Sequence, residues 1–183
     1  MDLLYAVAEA IYNFMESSPG LLGTPVCVVV AGLPVMLLHE LGHALAARIL
    51  LGGEVQVTVG SAGKLAELQL GQIAVSLNAL AYPGRAQGSA EFDASRAGAR
   101  DVLLIALAGP AASLLGFVVA LWAYSAAPDS GLLHDLLWGA IAAGLFGVLN
   151  LIPFTLHGKP GETPLRSDGR VALAAARVVR ELS

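Results

Sequence analysis

The chain has 183 residues, of which 56% are hydrophobic and 13% are charged, and its net charge is −4. A soluble domain carries about 25% charged residues, so this composition argues against a water-soluble fold and predicts one membrane-embedded domain covering residues 1–183. The weak negative charge gives no indication of a nucleic-acid partner, and the lone Cys27 excludes a disulfide framework.

Four apolar segments follow one another along the chain. Residues 3–15 are too short to cross a bilayer and include Glu9, so they predict an interfacial or re-entrant helix. Residues 21–51, 102–126 and 132–152 each offer about 20 mainly apolar residues, which is the length that a bilayer core requires. The predicted fold class is therefore mainly α, a polytopic membrane protein with about three transmembrane helices.

The first predicted span carries the sequence HELGH, with His39, Glu40 and His43, near its C-terminal end. Two histidines four residues apart on a helix share one face. Both can therefore ligate one Zn²⁺, and the intervening glutamate can reach a metal-bound water. Ionisable groups at membrane depth are costly and indicate a functional site. We predict a zinc site here, with both histidines as ligands and Glu40 within reach of a metal-bound water.

The segment between the first two spans predicts a small antiparallel β-sheet of two or three strands, over about residues 54–80. Polar and apolar residues alternate in EVQVTV and again between Leu68 and Leu77, and GSAG at 60–63 predicts a turn. The sheet edge either accepts an extended peptide by strand addition or belongs to a solvated hairpin that only fills the loop. Residues 86–101 are predicted to be a polar linker.

Small residues on the second and third spans predict close packing of these helices around the first. Gly139, Ala143 and Gly147 follow one another at every fourth position, a spacing that lets membrane helices approach closely. Asn150 lies one turn further on nearly the same face. Its side chain either donates a hydrogen bond to the substrate backbone or the developing oxyanion, or satisfies the local backbone at the helix end.

A catalytic zinc site needs a third protein ligand and one position left for water. Asp168 lies after the third span, on the same side of the membrane as the HELGH sequence. It is either that ligand or the N-cap of an amphipathic helix predicted for residues 169–182. His157 is the alternative third ligand. The arginines of this helix predict a position on the anionic inner leaflet of the bilayer.

The positive charges predict the orientation. Nine of the ten Lys and Arg lie either between the first two spans or after the third, and the tenth, Arg48, is in the last turn of the first span. With three spans these two groups share one side of the membrane, which the positive-inside rule makes cytoplasmic. We therefore predict a multi-pass protein with its active site toward the cytoplasm. The small size favours the plasma membrane of a prokaryote.

Three motifs together resemble the site-2 protease family of intramembrane zinc metalloproteases (peptidase family M50), in its minimal form. They are HELGH on the first span, AGP at 108–110, and NLIP at 150–153 followed by SDG at 167–169. The resemblance covers about residues 24–170. In the family the sequence Leu-Asp-Gly often lies close behind the Asn-Pro element, whereas here Ser-Asp-Gly follows the insertion HGKPGETP.

The resemblance implies a zinc metalloendopeptidase that cleaves transmembrane or membrane-associated protein substrates. It implies that His39, His43 and Asp168 bind Zn²⁺ and that Glu40 is the base that activates the attacking water. Two other classes compete with this prediction, namely a non-catalytic membrane scaffold and a metal-binding membrane protein. An intact HELGH argues against the scaffold, and the lack of polar residues across the other spans argues against metal transport.

Overall fold

A computed structural model describes residue 16 and residues 20–79, 88–127, 131–156 and 164–182. Both the helix predicted for residues 3–15 and His157 lie outside these residues. The described chain is mainly helical, with the elements in this order: α1 (Gly20–Leu51), β1 (Val55–Val59), β2 (Lys64–Leu70), β3 (Ile73–Asn78), β4 (Gly88–Glu91), a 3₁₀ turn (Ala94–Arg96), α2 (Ala99–Ala126), α3 (Leu132–Leu149), β5 (Thr155–Leu156), β6 (Leu165–Arg166) and α4 (Asp168–Leu182).

Three of the described helices are long and apolar enough to cross a membrane, namely the part Val26–Leu51 of α1, together with α2 and α3. This confirms the prediction of three apolar helices. All three pack against one another. Their outer surfaces expose large apolar side chains such as Val30, Leu115 and Phe146, as expected for helices that are surrounded by lipid.

Two of these helices differ from their predicted bounds for local reasons. Helix α2 begins before residue 102, and the Asp101 carboxylate accepts a 3.0 Å hydrogen bond from the backbone N–H of Gly98 at its start. Helix α3 ends at Leu149 rather than at Ile152, because Pro153 disfavours helical geometry in the residue before it.

The sheet is mixed rather than antiparallel, with the strand order β2-β3-β1-β4. Strands β2 and β3 form an antiparallel hairpin, but β1 pairs with β3 in parallel, so that Val57 lies opposite Val75. Strand β4 pairs with β1 antiparallel, within the segment predicted to be a linker. Its sequence GSAE contains no β-branched or aromatic residue, so its pairing depends on its neighbours rather than on local preference.

The inner face of the sheet packs on the C-terminal half of α1. Alternate residues of β1 are buried, which is the period of two expected for a strand with one covered face. One cluster of buried residues joins small side chains of α1 and branched side chains of the sheet to α2: Ala44, Ala47, Val55, Val57, Val59, Val75 and Ile105. This packing fixes the sheet next to the HELGH end of α1.

Candidate metal centre

His39 and His43 lie one turn apart on α1, and only 7% and 8% of their surfaces are exposed. Their rings meet edge to face, with centroids 4.8 Å apart. The two Nε2 atoms are 3.2 Å apart. The spacing of four residues therefore brings two potential ligand atoms to one point inside the helical bundle.

Helix α2 contacts the Nδ1 atom of both histidine rings by hydrogen bonds. His43 Nδ1 donates to the carbonyl oxygen of Ile105 at 2.7 Å. Because a carbonyl can only accept, Nδ1 carries a proton, so loss of the proton from Nε2 would give a neutral ring with a lone pair for a metal. His39 Nδ1 lies 2.8 Å from the hydroxyl of Ser113, whose surface is 0% exposed. Hydrogen bonds of this kind fix the tautomer and orientation of metal-binding histidines.

Asp168 supplies the third ligand atom. Its Oδ2 lies 3.0 Å from His39 Nε2 and 3.3 Å from His43 Nε2, so the three atoms form a nearly equilateral triangle. Tetrahedral ligands at zinc distances of about 2.0–2.1 Å stand roughly 3.3 Å apart. The three residues thus fit a zinc ion and leave one corner of the tetrahedron without a ligand from this triad. Among the described residues they form a group able to hold a metal.

The Asp168 carboxyl is ionised at neutral pH. Burial raises its pKa, but the hydrogen bonds with His39 and His43 outweigh burial and lower the pKa from 3.8 to about 2. The amide of Asn150 also donates to Oδ2, at 2.6 Å, and such bonds favour the charged form of a carboxyl. Metal binding at this site requires both Nε2 atoms to be deprotonated.

Ser167 caps α4 and so leaves the Asp168 side chain available to the histidines. The Ser167 hydroxyl accepts a hydrogen bond from the backbone N–H of Arg170 at 3.2 Å, which is the bond of an N-cap. It also accepts from the N–H of Phe154 at 3.0 Å and donates to the carbonyl of Ile152 at 2.7 Å. The sequence left open a capping role for Asp168, and the neighbouring serine fills that role.

Gly169 allows the start of α4 to approach the end of α3. A Cβ at this position would overlap the backbone carbonyl of Leu151, and the N–H of Gly169 donates to the carbonyl of Asn150 at 3.0 Å. The glycine is needed here for this close approach, since its φ is not in the left-handed region. The contact brings Asp168 to the level of the histidines.

Glu40 is buried next to the triad, with 8% of its surface exposed. Its carboxylate packs against Gly88 of β4, where a Cβ would overlap it. No group among the described residues forms a hydrogen bond with this carboxylate. A buried acceptor that lacks such a partner is expected at a site that receives a proton or a water from outside the fold.

The residues predicted for the site lie together, apart from His157, which is outside the described residues. Asn150 donates its side-chain hydrogen bond to Asp168 rather than to the local backbone. Gly109 and Ser113 were predicted only as small residues that let α2 pack around α1, and Gly88 was predicted only as part of a polar linker. A Cβ at Gly109 would overlap the ring of His43. The role of Ser113 beside His39 has one further sequence signal, a hydroxyl in an apolar helix, which has to find a partner when buried.

No protein-family model matches this chain, and no curated protein matches its sequence. Its function is therefore inferred from the residues themselves and from the geometry of the site.

Proposed function

We propose that the protein is an intramembrane zinc metalloprotease similar to the site-2 protease family. The observation that carries the proposal is the triangle of His39 Nε2, His43 Nε2 and Asp168 Oδ2, with edges of 3.0–3.3 Å and the Glu40 carboxylate buried beside it. This set of one carboxylate and two imidazoles suits zinc. It lies in a bundle of helices apolar enough to cross a membrane.

The residues divide the chemistry of peptide hydrolysis between them. Zinc, when bound, lowers the pKa of water to about 7 and polarises a carbonyl oxygen. Glu40 accepts the proton of the attacking water and returns it to the amine of the leaving peptide. Asn150 uses one N–H on Asp168, which leaves its second N–H for the substrate backbone or the oxyanion.

The substrate is a transmembrane or membrane-associated protein whose cleavage site has to be extended. A helix keeps its carbonyls in internal hydrogen bonds, so an attacking water reaches them only after local unwinding. Strand β4 lies at one end of the described sheet, and its Gly88 touches Glu40. An extended segment that adds to the outer edge of β4 would be held beside the catalytic base.

The proposed location is the plasma membrane of a prokaryote, with the site toward the cytoplasm. The support is the distribution of Lys and Arg: nine of the ten lie in two segments on one side of three spans, and Arg48 lies in the last turn of the first span at the same side. A site near the cytoplasmic end of α1 also gives water a shorter path to Glu40 than a site at mid-bilayer would.

Glu40→Gln tests the proposal. Glutamine keeps the shape of the side chain but cannot accept the proton, so we expect an unchanged zinc content and a fall in cleavage of about 10²–10⁴-fold. The measurement is cleavage of a transmembrane reporter by the purified protein in lipid, with metal analysis of the same samples. Glu54→Gln is the matched control, since this exposed glutamate lies beside the sheet and outside the triad.

Three outcomes would contradict the proposal. Cleavage by Glu40→Gln at the wild-type rate would exclude Glu40 as the base. Wild-type protein that binds zinc but cleaves no reporter would favour a metal-binding membrane protein. Wild-type protein that binds no zinc would favour a scaffold with the same fold.

A further inference from the structure

A cavity of about 720 Å³ opens between α4 and the chain that leads into α2. Small apolar side chains from both helices form an apolar wall of the cavity, and the main ones are Ala99, Val102, Val171, Ala174 and Val178. Arg166 of β6 and Arg170 of α4 also line it. The volume is within the range typical of small-molecule sites, about 300–1,000 Å³.

Arg166 and Arg170 have no counter-charge among the residues that the structure describes. Neither guanidinium forms an ion pair or a hydrogen bond within the part of the chain that the structure describes, whereas the nearby Arg96 pairs with Asp93 at 3.2 Å. A guanidinium is always charged in proteins, and its planar donors match the oxygens of a phosphate. The cavity therefore combines an apolar wall with two positive charges that have no partner in the described protein.

The cavity lies at the level expected for lipid headgroups. Helix α2 has 28 residues, or roughly 42 Å at 1.5 Å per residue, against a bilayer core of about 30 Å. Its first turn carries Arg100 and Asp101, and its exposed large apolar side chains begin at Leu104. The polar first turn, which borders the cavity through Ala99, therefore extends beyond the hydrocarbon.

We propose that this cavity binds an anionic phospholipid. The phosphate lies between Arg166 and Arg170, and the glycerol and first part of an acyl chain lie along the apolar wall. Charge complementarity favours this occupant over a zwitterionic lipid, whose own cation would have to approach the same two arginines. The apolar side chains that line the cavity favour a lipid over free phosphate, which offers no apolar surface to pack on them. The site is separate from peptide hydrolysis and does not depend on it.

The test is a binding titration on the purified full-length protein in neutral detergent. Phosphatidylglycerol and phosphatidylcholine of the same acyl chains are compared by native mass spectrometry. We expect tighter binding of phosphatidylglycerol, and a loss of about tenfold in its affinity in Arg166→Gln and in Arg170→Gln, because each removes a charged hydrogen-bond donor. Arg177→Gln is the matched control, since this exposed arginine is on the same helix but does not line the cavity.

A second variant tests the apolar wall without changing any charge. Ala174→Leu fills the cavity, and we expect it to weaken binding of phosphatidylglycerol as well. Equal affinity for the two lipids would overturn the proposal. An equal loss of phosphatidylglycerol affinity in Arg177→Gln would show that the positive charges attract the lipid without a defined binding site. Displacement of the lipid by millimolar inorganic phosphate would show that the arginines take a free anion and that the wall is not used.

Discussion

At the scale of single residues, the candidate metal site depends on groups that lie outside the HELGH sequence. Helix α1 places His39 and His43 on one face, but the rotation of each ring is set by a bond at Nδ1 to α2. These bonds point both Nε2 atoms toward Asp168. The hydroxyl of Ser113 and the carbonyl of Ile105 are therefore part of the candidate metal site, although neither would touch a metal.

Ser113→Ala removes one of these bonds without adding bulk. We expect zinc affinity to fall by about 10–100-fold, as is usual when the partner of a metal-binding histidine is lost. The loss of the hydrogen bond should lower the free energy of unfolding by only about 1 kcal/mol. The measurement is zinc affinity by competition with a chromogenic chelator.

Ser125→Ala is the control for this variant. Ser125 lies on the same helix, is exposed, and donates its hydroxyl to the carbonyl of Trp122 at 2.7 Å. It should bind zinc as the wild type does. Wild-type zinc affinity in Ser113→Ala would show that His39 is oriented by packing alone.

The sequence predicted the histidine pair because a spacing of four on a helix is a local property. It could not predict their partners. Ser113 is separated from His39 by 74 positions, and Ile105 contributes a backbone carbonyl that no side chain signals. For Asp168 the ligand and the cap could not be distinguished, because the choice depends on whether the Ser167 hydroxyl reaches the first turn of α4.

At the scale of elements, the start of α4 connects the third ligand to the rest of the fold. The Ser167 hydroxyl bonds to the turn after α3 and to the first turn of α4, and 2% of this residue is exposed. Asp168 is the next residue. The position of its carboxylate therefore depends on how firmly this turn is held.

Ser167→Ala tests that dependence. Loss of the cap costs about 1 kcal/mol, and the variant should also lose part of its stabilisation by zinc, because a ligand that binds only the folded state stabilises it in proportion to its affinity. The measurement is the midpoint of unfolding with and without zinc. Ser95→Ala is the control, since its hydroxyl bonds only to Asp93 in an exposed turn. An equal zinc-induced shift in Ser167→Ala and wild type would show that Asp168 is positioned independently of the cap.

The sheet shows what local patterns reveal about an element and what they leave out. The alternation of polar and apolar residues predicts β1, because one face of this strand is buried and the other is not. The same alternation does not specify which strand pairs with β1. The chain passes from β1 to the edge strand β2 and returns as β3 between them, which makes β1 and β3 parallel neighbours. Strand β4 has no local preference and forms because β1 offers an edge next to α1. The element that contacts Glu40 was thus the one with the weakest signal.

At the scale of the whole molecule, glycines set how closely the spanning helices approach. Lipid is as apolar as the side chains of these helices, so packing rather than the hydrophobic effect holds them together. Gly42 of α1 lies against the carbonyl of Ala108 on α2, and Gly139 of α3 lies against the backbone of Cys27 on α1. The candidate metal ligands come from α1 and α4 and their supports from α2, so the triad is assembled only when the bundle is closed.

Gly139→Ala should therefore open the bundle far from the site. Its Cβ would overlap the backbone of Cys27 and Val28, which cannot move without moving α1. Such overpacking costs about 1–3 kcal/mol, against a gain of at most about 1 kcal/mol from the better helix propensity of alanine. We expect a lower free energy of unfolding in mixed micelles. The zinc affinity of the folded fraction should be unchanged, because Cys27 is twelve residues from His39, or roughly 18 Å along the helix.

Gly116→Ala on α2 is the matched comparison. Its Cβ would meet only the Cδ2 methyl of Leu38, at 3.0 Å, and a leucine side chain can rotate away where a backbone cannot. Here the gain in helix propensity should offset the contact, so that stability is unchanged or slightly higher. Equal effects of the two substitutions would mean that the bundle relaxes around added methyl groups, and that close backbone contact does not determine its stability.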